Sequence, residues 1–232
     1  MRKLILDFDG VLADSWVECF HLISKKNKLT KLQIDSISEN FKKFRYLVAK
    51  PYGFQILLEI LLSRDLTNVP EKFFDKQANW DEDSIDVFHR DFFQSRENII
   101  KKNGRKAWVD MNPVTDFFKE LKRKGYNFKK YILSTKDESS ISIWLSENNF
   151  EVDKVYGSNS LKGYGNKFDF IKKTFCHNSK KIFIDDNEKF IEGFDWVGIN
   201  CEAYHAGWGY SSKNGDTVEN IIKKLNYHDL YN

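Results

Sequence analysis

A short β-prone run at residues 3–8 ends in two aspartates and a glycine, Asp7-Phe8-Asp9-Gly10, and the next such run begins only at residue 128. An apolar run of this length that stops at a turn residue suits a buried parallel strand. Similar runs follow at 128–133, 152–156, 181–184 and 196–199, with helical patterns between them. Residues 114–124 repeat apolar side chains at Val114, Phe117, Phe118 and Leu121. Asn112-Pro113 is the expected N-cap and first helical residue there, and Gly125 the stop. The stretches 139–149 and 168–176 read the same way. Strands alternating with helices predict an α/β fold built on a doubly wound parallel sheet. The long interval 16–107 breaks that alternation, with helical periodicity and almost no strand signal. Its clearest piece, 52–62, is apolar nearly all round and predicts a buried helix. The chain is therefore expected to form a core domain from 1–15 and 108–232, with 16–107 as an α-helical domain inserted into it.

Composition excludes several classes of function. The 37 basic and 34 acidic residues nearly cancel, and the lysine pairs 25–26, 42–43, 101–102 and 180–181 are scattered along the length. A nucleic-acid face would concentrate that charge on one stripe, so no nucleic-acid partner is expected. Three cysteines, Cys19, Cys176 and Cys201, fit neither a disulfide framework nor a zinc knuckle, and a reducing cytoplasmic compartment is the default. Asp7 and Asp9 cut the first apolar run too short for a signal peptide. No stretch approaches the roughly 20 apolar residues that span a bilayer, so no membrane partner is expected either.

Four sites carry possible chemistry. At the carboxyl end of the first strand, where open α/β sheets bind ligands, Asp7 and Asp9 can face one crevice. One carboxylate can attack phosphorus as a nucleophile, and the other can protonate a leaving group and then activate water. Two acids this close repel, which favours a bound cation or one protonated partner. The second site is Ser134-Thr135-Lys136, hydroxyls at the end of the 128–133 strand that suit a phosphoryl oxygen beside backbone N–H groups. The third is a lysine opening a helix: Lys167, 19 residues ahead of Asp186, with Lys162 as the alternative. The fourth is Asp185-Asp186 at the end of 181–184. Acids buried there are hard to explain without a cation, and magnesium suits a site of few carboxylates, waters and substrate oxygens.

The segment from Asp7 to Ser15, Asp-Phe-Asp-Gly-Val-Leu-Ala-Asp-Ser, resembles motif I of the haloacid dehalogenase-like superfamily. Ser134, Lys167 and Asp185-Asp186 resemble its motifs II, III and IV in the family's order. The resemblance covers residues 1–15 and 108–225, and the placement of 16–107 matches a type-1 cap, which in the family closes over substrate and sets specificity. It implies a Rossmann-like core and a magnesium-dependent phosphomonoester hydrolase working through an aspartyl-phosphate on a small phosphorylated metabolite. It implies Asp7 as nucleophile, Asp9 as acid/base, and Ser134 and Lys167 as the other catalytic groups. Ser134, Thr135 and Gly10 are the implied substrate-binding residues. The Mg²⁺ ligands it implies are the Asp7 carboxylate, the Asp9 backbone carbonyl and an acid of the Asp185-Asp186 pair, with Asp186 the direct ligand and Asp185 behind it. Asp9 argues against a dehalogenase proper, whose motif I lacks that second acid. A phosphomutase of the β-phosphoglucomutase type would share all four motifs, and a non-catalytic regulatory module could use the same fold.

The remaining candidates read as ordinary. His21, His89, His177, His205 and His228 lack metal-ligand spacing. Arg90 and Arg96, within an aromatic helix of the insertion, read as solvated. Trp208 lies in a late loop whose glycines mark a turn.

Overall fold

A computed structural model describes residues 2–175, 178–211 and 214–230 of the protein. In chain order the elements are β1 (Lys3–Leu6), α1 (Trp16–Lys26), α2 (Lys31–Lys43), α3 (Tyr52–Leu62), α4 (Val69–Gln77), α5 (Glu82–Asn103), α6 (Arg105–Asp110) and α7 (Asp116–Lys124). They continue with β2 (Lys129–Leu133), α8 (Glu138–Glu147), β3 (Lys154–Tyr156), α9 (Lys167–Thr174), β4 (Lys181–Asp185), β5 (Cys201–His205) and α10 (Val218–Leu230). Two compact units emerge: Met1–Asp14 with Pro113–Asn232, and Ser15–Asn112. The short helix α6 packs on α5 and belongs to the second, all-helical unit, which therefore extends a few residues past 107.

The first unit holds one fully parallel sheet in the order β3-β2-β1-β4-β5. Leu4, Ile5 and Leu6 of the central strand are completely buried, as expected of a strand covered on both faces. Sheet and helices together form the expected α/β doubly wound core, with the helical unit inserted after its first strand.

Two local expectations fail for physical reasons. The run 196–199 is not a strand: Val197–Ile199 forms a 3₁₀ turn, Asn200 adopts φ 53°, and the fifth strand is β5. The apolar signal at Trp196 and Ile199 reports burial in the core beneath. The true strand lies at the sheet edge beside β4, and of its five residues Cys201 alone is fully buried, so its own signal is weak. Helix α7 likewise starts at Asp116 and not at Pro113. Thr115 caps it by accepting from the Phe118 N–H at 3.2 Å, while the Pro113 carbonyl accepts from the Asp14 N–H at 2.8 Å. Residues 113–114 are thus spent on pairing with the loop after β1, where Val114 bridges Ala13. The expected stop is real, with Gly125 in the left-handed region at φ 63°.

The helical unit is organised around α3, buried along most of its length as its sequence implies. Phe20, Phe41, Phe54 and Phe92 form a chain of ring contacts with centroids 4.8, 5.9 and 5.6 Å apart. Tyr52 joins this core, and Arg45 lies over Phe54 while donating to the Val48 carbonyl at 2.7 Å. Arg96, expected in solvent, is instead buried: its Nε donates to Glu18 Oε1 at 2.6 Å, and its guanidinium lies 5.2 Å from the Phe92 ring centre. The amphipathic pattern of α5 conceals this, because an arginine on the apolar stripe is legible only once its acidic partner, 78 positions away, is known. Arg96→Met would leave the Glu18 carboxylate buried without its guanidinium. It should cost about 3–5 kcal/mol, read as a fall in urea midpoint at unchanged slope. The double variant Glu18→Leu/Arg96→Met should recover most of that, and a double variant no more stable than the single one contradicts this account.

Cys19 and Cys201 are buried free thiols, whereas Cys176 and His177 lie outside the described residues. No described helix is long and apolar enough to cross a membrane.

Candidate active site

The parallel register brings three strand ends to one level. Leu6 pairs with Ile132 on one side and Ile184 on the other, so Asp7, Leu133 and Asp185 follow side by side. Ser134 and Asp186 come one residue later, just beyond the sheet. Central β1 therefore delivers Asp7 between the end of β2 and the end of β4, the crevice in which such sheets hold ligands. Asp7, Asp185 and Asp186 are all buried there, each offering a carboxylate oxygen within 4.8 Å of the others.

After Asp7 the chain folds back on itself. The Leu12 and Ala13 N–H groups both donate to the Phe8 carbonyl at 3.0 Å, and the Gly10 N–H donates to the Ala13 carbonyl at 2.8 Å. Gly10 sits at φ +80°, and a Cβ added there would fall 2.0 Å from Asp186 Oδ2. Glycine is required on both counts: the turn needs the left-handed conformation, and the Asp186 carboxylate needs the space. Gly209 approaches the same residue, and a Cβ there would lie 2.3 Å from the Asp186 Cβ.

Lys167 is the first residue of α9, whose N-cap Asn166 accepts from the Asp169 N–H at 2.9 Å. Its buried ammonium lies 2.6 Å from Asp185 Oδ2 and 2.9 Å from Asp7 Oδ1. The contact with Asp185 is a hydrogen bond. That with Asp7 is an ion pair lacking hydrogen-bond direction, which leaves Asp7 Oδ1 a buried oxygen with no donor. Lys162 is exposed in the turn before α9 and takes no part in this cluster.

Charge in the cluster is unbalanced, since three carboxylates face one ammonium. Burial, offset in part by Lys167, raises the Asp7 carboxyl to about 7, and Asp185 and Asp9 push it the same way. Burial likewise raises Asp185 against the pull of Lys167. Lys167 moves up: burial works against its charge, but Asp185 and Asp7 together outweigh it. The donor set, the orphaned Asp7 oxygen and the excess of negative charge all fit a hard divalent cation.

Ser134 is buried at the end of β2, with its N–H donating to the Tyr156 carbonyl at 2.9 Å. Its Oγ accepts from the Lys136 N–H at 3.3 Å, and Thr135 beside it is half-buried. Lys136 is the residue that sequence reasoning passed over. Its buried ammonium lies 3.1 Å from Asp9 Oδ1. The glycine-rich loop after β5 also reaches this cluster. The Tyr210 N–H donates to Asp186 Oδ2 at 2.5 Å, and its hydroxyl donates to Asp14 Oδ1. Trp208 stacks on Phe117 at 4.9 Å and donates to the Val11 carbonyl at 3.3 Å. His205, read as ordinary, is half-buried with Nε2 3.1 Å from the Asp186 carbonyl oxygen and 2.8 Å from Ser211 Oγ. Only one signal pointed to this loop, the clustering of Gly207, Trp208, Gly209 and Tyr210.

No protein-family model matches the chain, and no curated protein matches it in sequence. Solved structures do match. A predicted phosphatase from Clostridium acetobutylicum superposes with a TM-score of 0.59 at 18% identity, covering 100% of this chain and 99% of that one. A predicted phosphoglycolate phosphatase from Haemophilus somnus gives 0.54 at 16% identity, with 97% of each chain covered. The haloacid dehalogenase-type hydrolase YfnB from Bacillus subtilis, in a magnesium-bound form, gives 0.52 at 14% identity over 97% of this chain and 98% of its own. The protein has the haloacid dehalogenase-like fold that its four motifs lead one to expect.

Proposed function

We propose that the protein is a magnesium-dependent phosphomonoester hydrolase that carries the phosphoryl group on Asp7. The observation behind this reading is the strand-end cluster: three buried carboxyl groups face one ammonium, an excess of two negative charges when all are ionised, at the ligand-binding end of the sheet. A divalent cation cancels that excess and lets a phosphate dianion approach. Asp7, the Asp9 backbone carbonyl and Asp186 are the ligands we assign to it. Asp185 stands behind them, since Lys167 at 2.6 Å and the Asn187 N–H at 2.8 Å already occupy its two oxygens.

In the first step a carboxylate oxygen of Asp7 bonds to phosphorus as the ester P–O bond breaks, and the departing oxygen takes the proton of Asp9. In the second step Asp9, now a carboxylate, takes a proton from water as the water oxygen bonds to phosphorus. The bond between phosphorus and Asp7 breaks, inorganic phosphate leaves, and both side chains regain their starting states. Ser134, Gly10 and Thr135 are the assigned contacts to the phosphoryl oxygens, and Lys167 neutralises charge as a point cation. The phosphatases among the structural neighbours support a small phosphorylated metabolite as substrate. The test is phosphate release from a panel of such metabolites with magnesium present, using Asp7→Asn as the paired control. A panel on which both proteins perform alike removes the reading.

A pH dependence follows from the carboxyl that burial raises to about 7. Without metal, a folded-state value above the unfolded 3.8 means that Asp7 contributes stability in acid and loses it as pH rises through about 7. A cation needs the ionised form, so protons compete with it below that value. The rise in Tm caused by magnesium should therefore be larger at pH 8 than at pH 6. An increment independent of pH over that range would show that Asp7 is not a ligand.

A further inference from the structure

Lys136 is a lysine whose side chain is only 1% exposed, and an ammonium so buried is costly unless it is paired. Its Nζ lies 3.1 Å from Asp9 Oδ1 and 5.5 Å from the centre of the Phe8 ring, on the residue between the two motif aspartates. The backbone that carries it is pinned from several directions. Its N–H donates to Ser134 Oγ, and its carbonyl accepts from the Ser158 N–H at 2.9 Å. The next residue, Asp137, caps α8 by accepting from the Ser140 N–H at 2.8 Å. Glu138 then ties down the facing turn, its Oε1 accepting from the Gly157 N–H at 3.0 Å, the Ser160 N–H at 3.2 Å and the Ser160 hydroxyl at 3.0 Å. That turn comes so close that a Cβ on Gly157 would lie 2.5 Å from the Lys136 carbonyl oxygen. An arm anchored in this way aims its ammonium in one direction.

We propose that Lys136 is a positioning residue for Asp9, holding its carboxyl group through Oδ1 so that Oδ2 is the atom that gives and takes the proton. Lys136 and Lys167 then divide the work: Lys167 serves Asp7 and Asp185, and Lys136 serves the acid/base. Lys136 exchanges no proton itself, and its effect is confined to steps in which Asp9 protonates or deprotonates oxygen. The proposal rests on the hydrolase reading above.

The test uses two probe esters with magnesium present. Phenyl phosphate expels a basic oxygen that needs Asp9's proton, whereas p-nitrophenyl phosphate expels a stabilised anion that hardly needs it. Lys136→Met should lower kcat/KM, which reports only the step up to departure of the leaving group, on phenyl phosphate by about ten- to a hundredfold, in the range of acid/base contributions. On p-nitrophenyl phosphate it should lower kcat/KM less than about threefold, while kcat, which includes the common Asp9-dependent attack of water, can fall on both esters alike. Lys136→Arg should restore part of the loss, and Asp9→Asn should show the same discrimination in stronger form. The ratio of the two kcat/KM values is measured within one preparation, so partial unfolding of a variant cancels. Equal losses of kcat/KM on both esters would overturn the positioning role, as would a rise in KM at constant kcat, which would make Lys136 a phosphate contact. Wild-type protein inert toward both esters would bring down the hydrolase reading and this proposal with it.

Discussion

Asp7→Asn should abolish phosphate release while leaving the protein folded, and it is the largest single effect expected here. The amide keeps the shape of the side chain but cannot form the bond to phosphorus. Losing a nucleophile of this kind costs about four to six powers of ten in kcat. The fold should not suffer. Asp7 is a buried acid raised to about 7, in a cluster with more negative charge than Lys167 can balance. Lys167 keeps its hydrogen bond to Asp185 at 2.6 Å in the variant. In metal-free buffer at pH 8, Tm should therefore stay level or rise, because one buried negative charge has gone. The two measurements are phosphate release and a thermal melt on the same preparation. Retention of more than a few per cent of wild-type turnover would show that another group makes the bond.

That Asp7 stands at the carboxyl edge of the sheet, within the carboxylate cluster, is legible from sequence, and the reason is geometric. An apolar strand too short to hide its end puts the next polar residue at the sheet's carboxyl edge. The same logic finds Ser134 after β2 and Asp185-Asp186 after β4, because parallel strands in register end together. What sequence could not supply is pairing between side chains. Lys162 and Lys167 are equally lysines before a helix; only the capping of α9 by Asn166 turns one of them inward. Lys136 sits in plain view beside Ser134-Thr135, yet its partner Asp9 is 127 positions away. Arg96 and Glu18 hid for the same reason. The fifth strand is missed because Trp196 and Ile199 are buried without being extended, while edge strand β5 buries only Cys201 fully. Tyr210 is a backbone donor to Asp186, and a backbone contact leaves no mark on residue type at all.

The second large effect concerns the cation. Chelation should silence phosphate release, and magnesium should restore it. Without a cation, a phosphate dianion would have to enter beside Asp7, Asp185 and Asp186 with Lys167 as the ammonium among them. Neutralising developing charge with a metal supplies several kcal/mol, so removing it should lower the rate by about a hundredfold or more, each 1.36 kcal/mol being tenfold. Calcium should restore activity poorly even where it binds, because its larger and looser shell leaves Asp7 badly placed for attack on phosphorus. Asp186→Asn should shift the magnesium dependence of activity to higher concentration. Gly10 and Gly209 leave room only for a side chain of this size, and asparagine fills the same space with less charge. Magnesium titrations of activity, run on wild type and Asp186→Asn after exhaustive chelation, separate the two possibilities. A chelated wild type at full rate would mean that the carboxylate cluster is balanced by protons, with Asp7 at about 7 carrying one of them. A variant with unchanged magnesium dependence would instead move the ligand role from Asp186 to Asp185, whose carboxylate would then have to leave Lys167 to reach the ion.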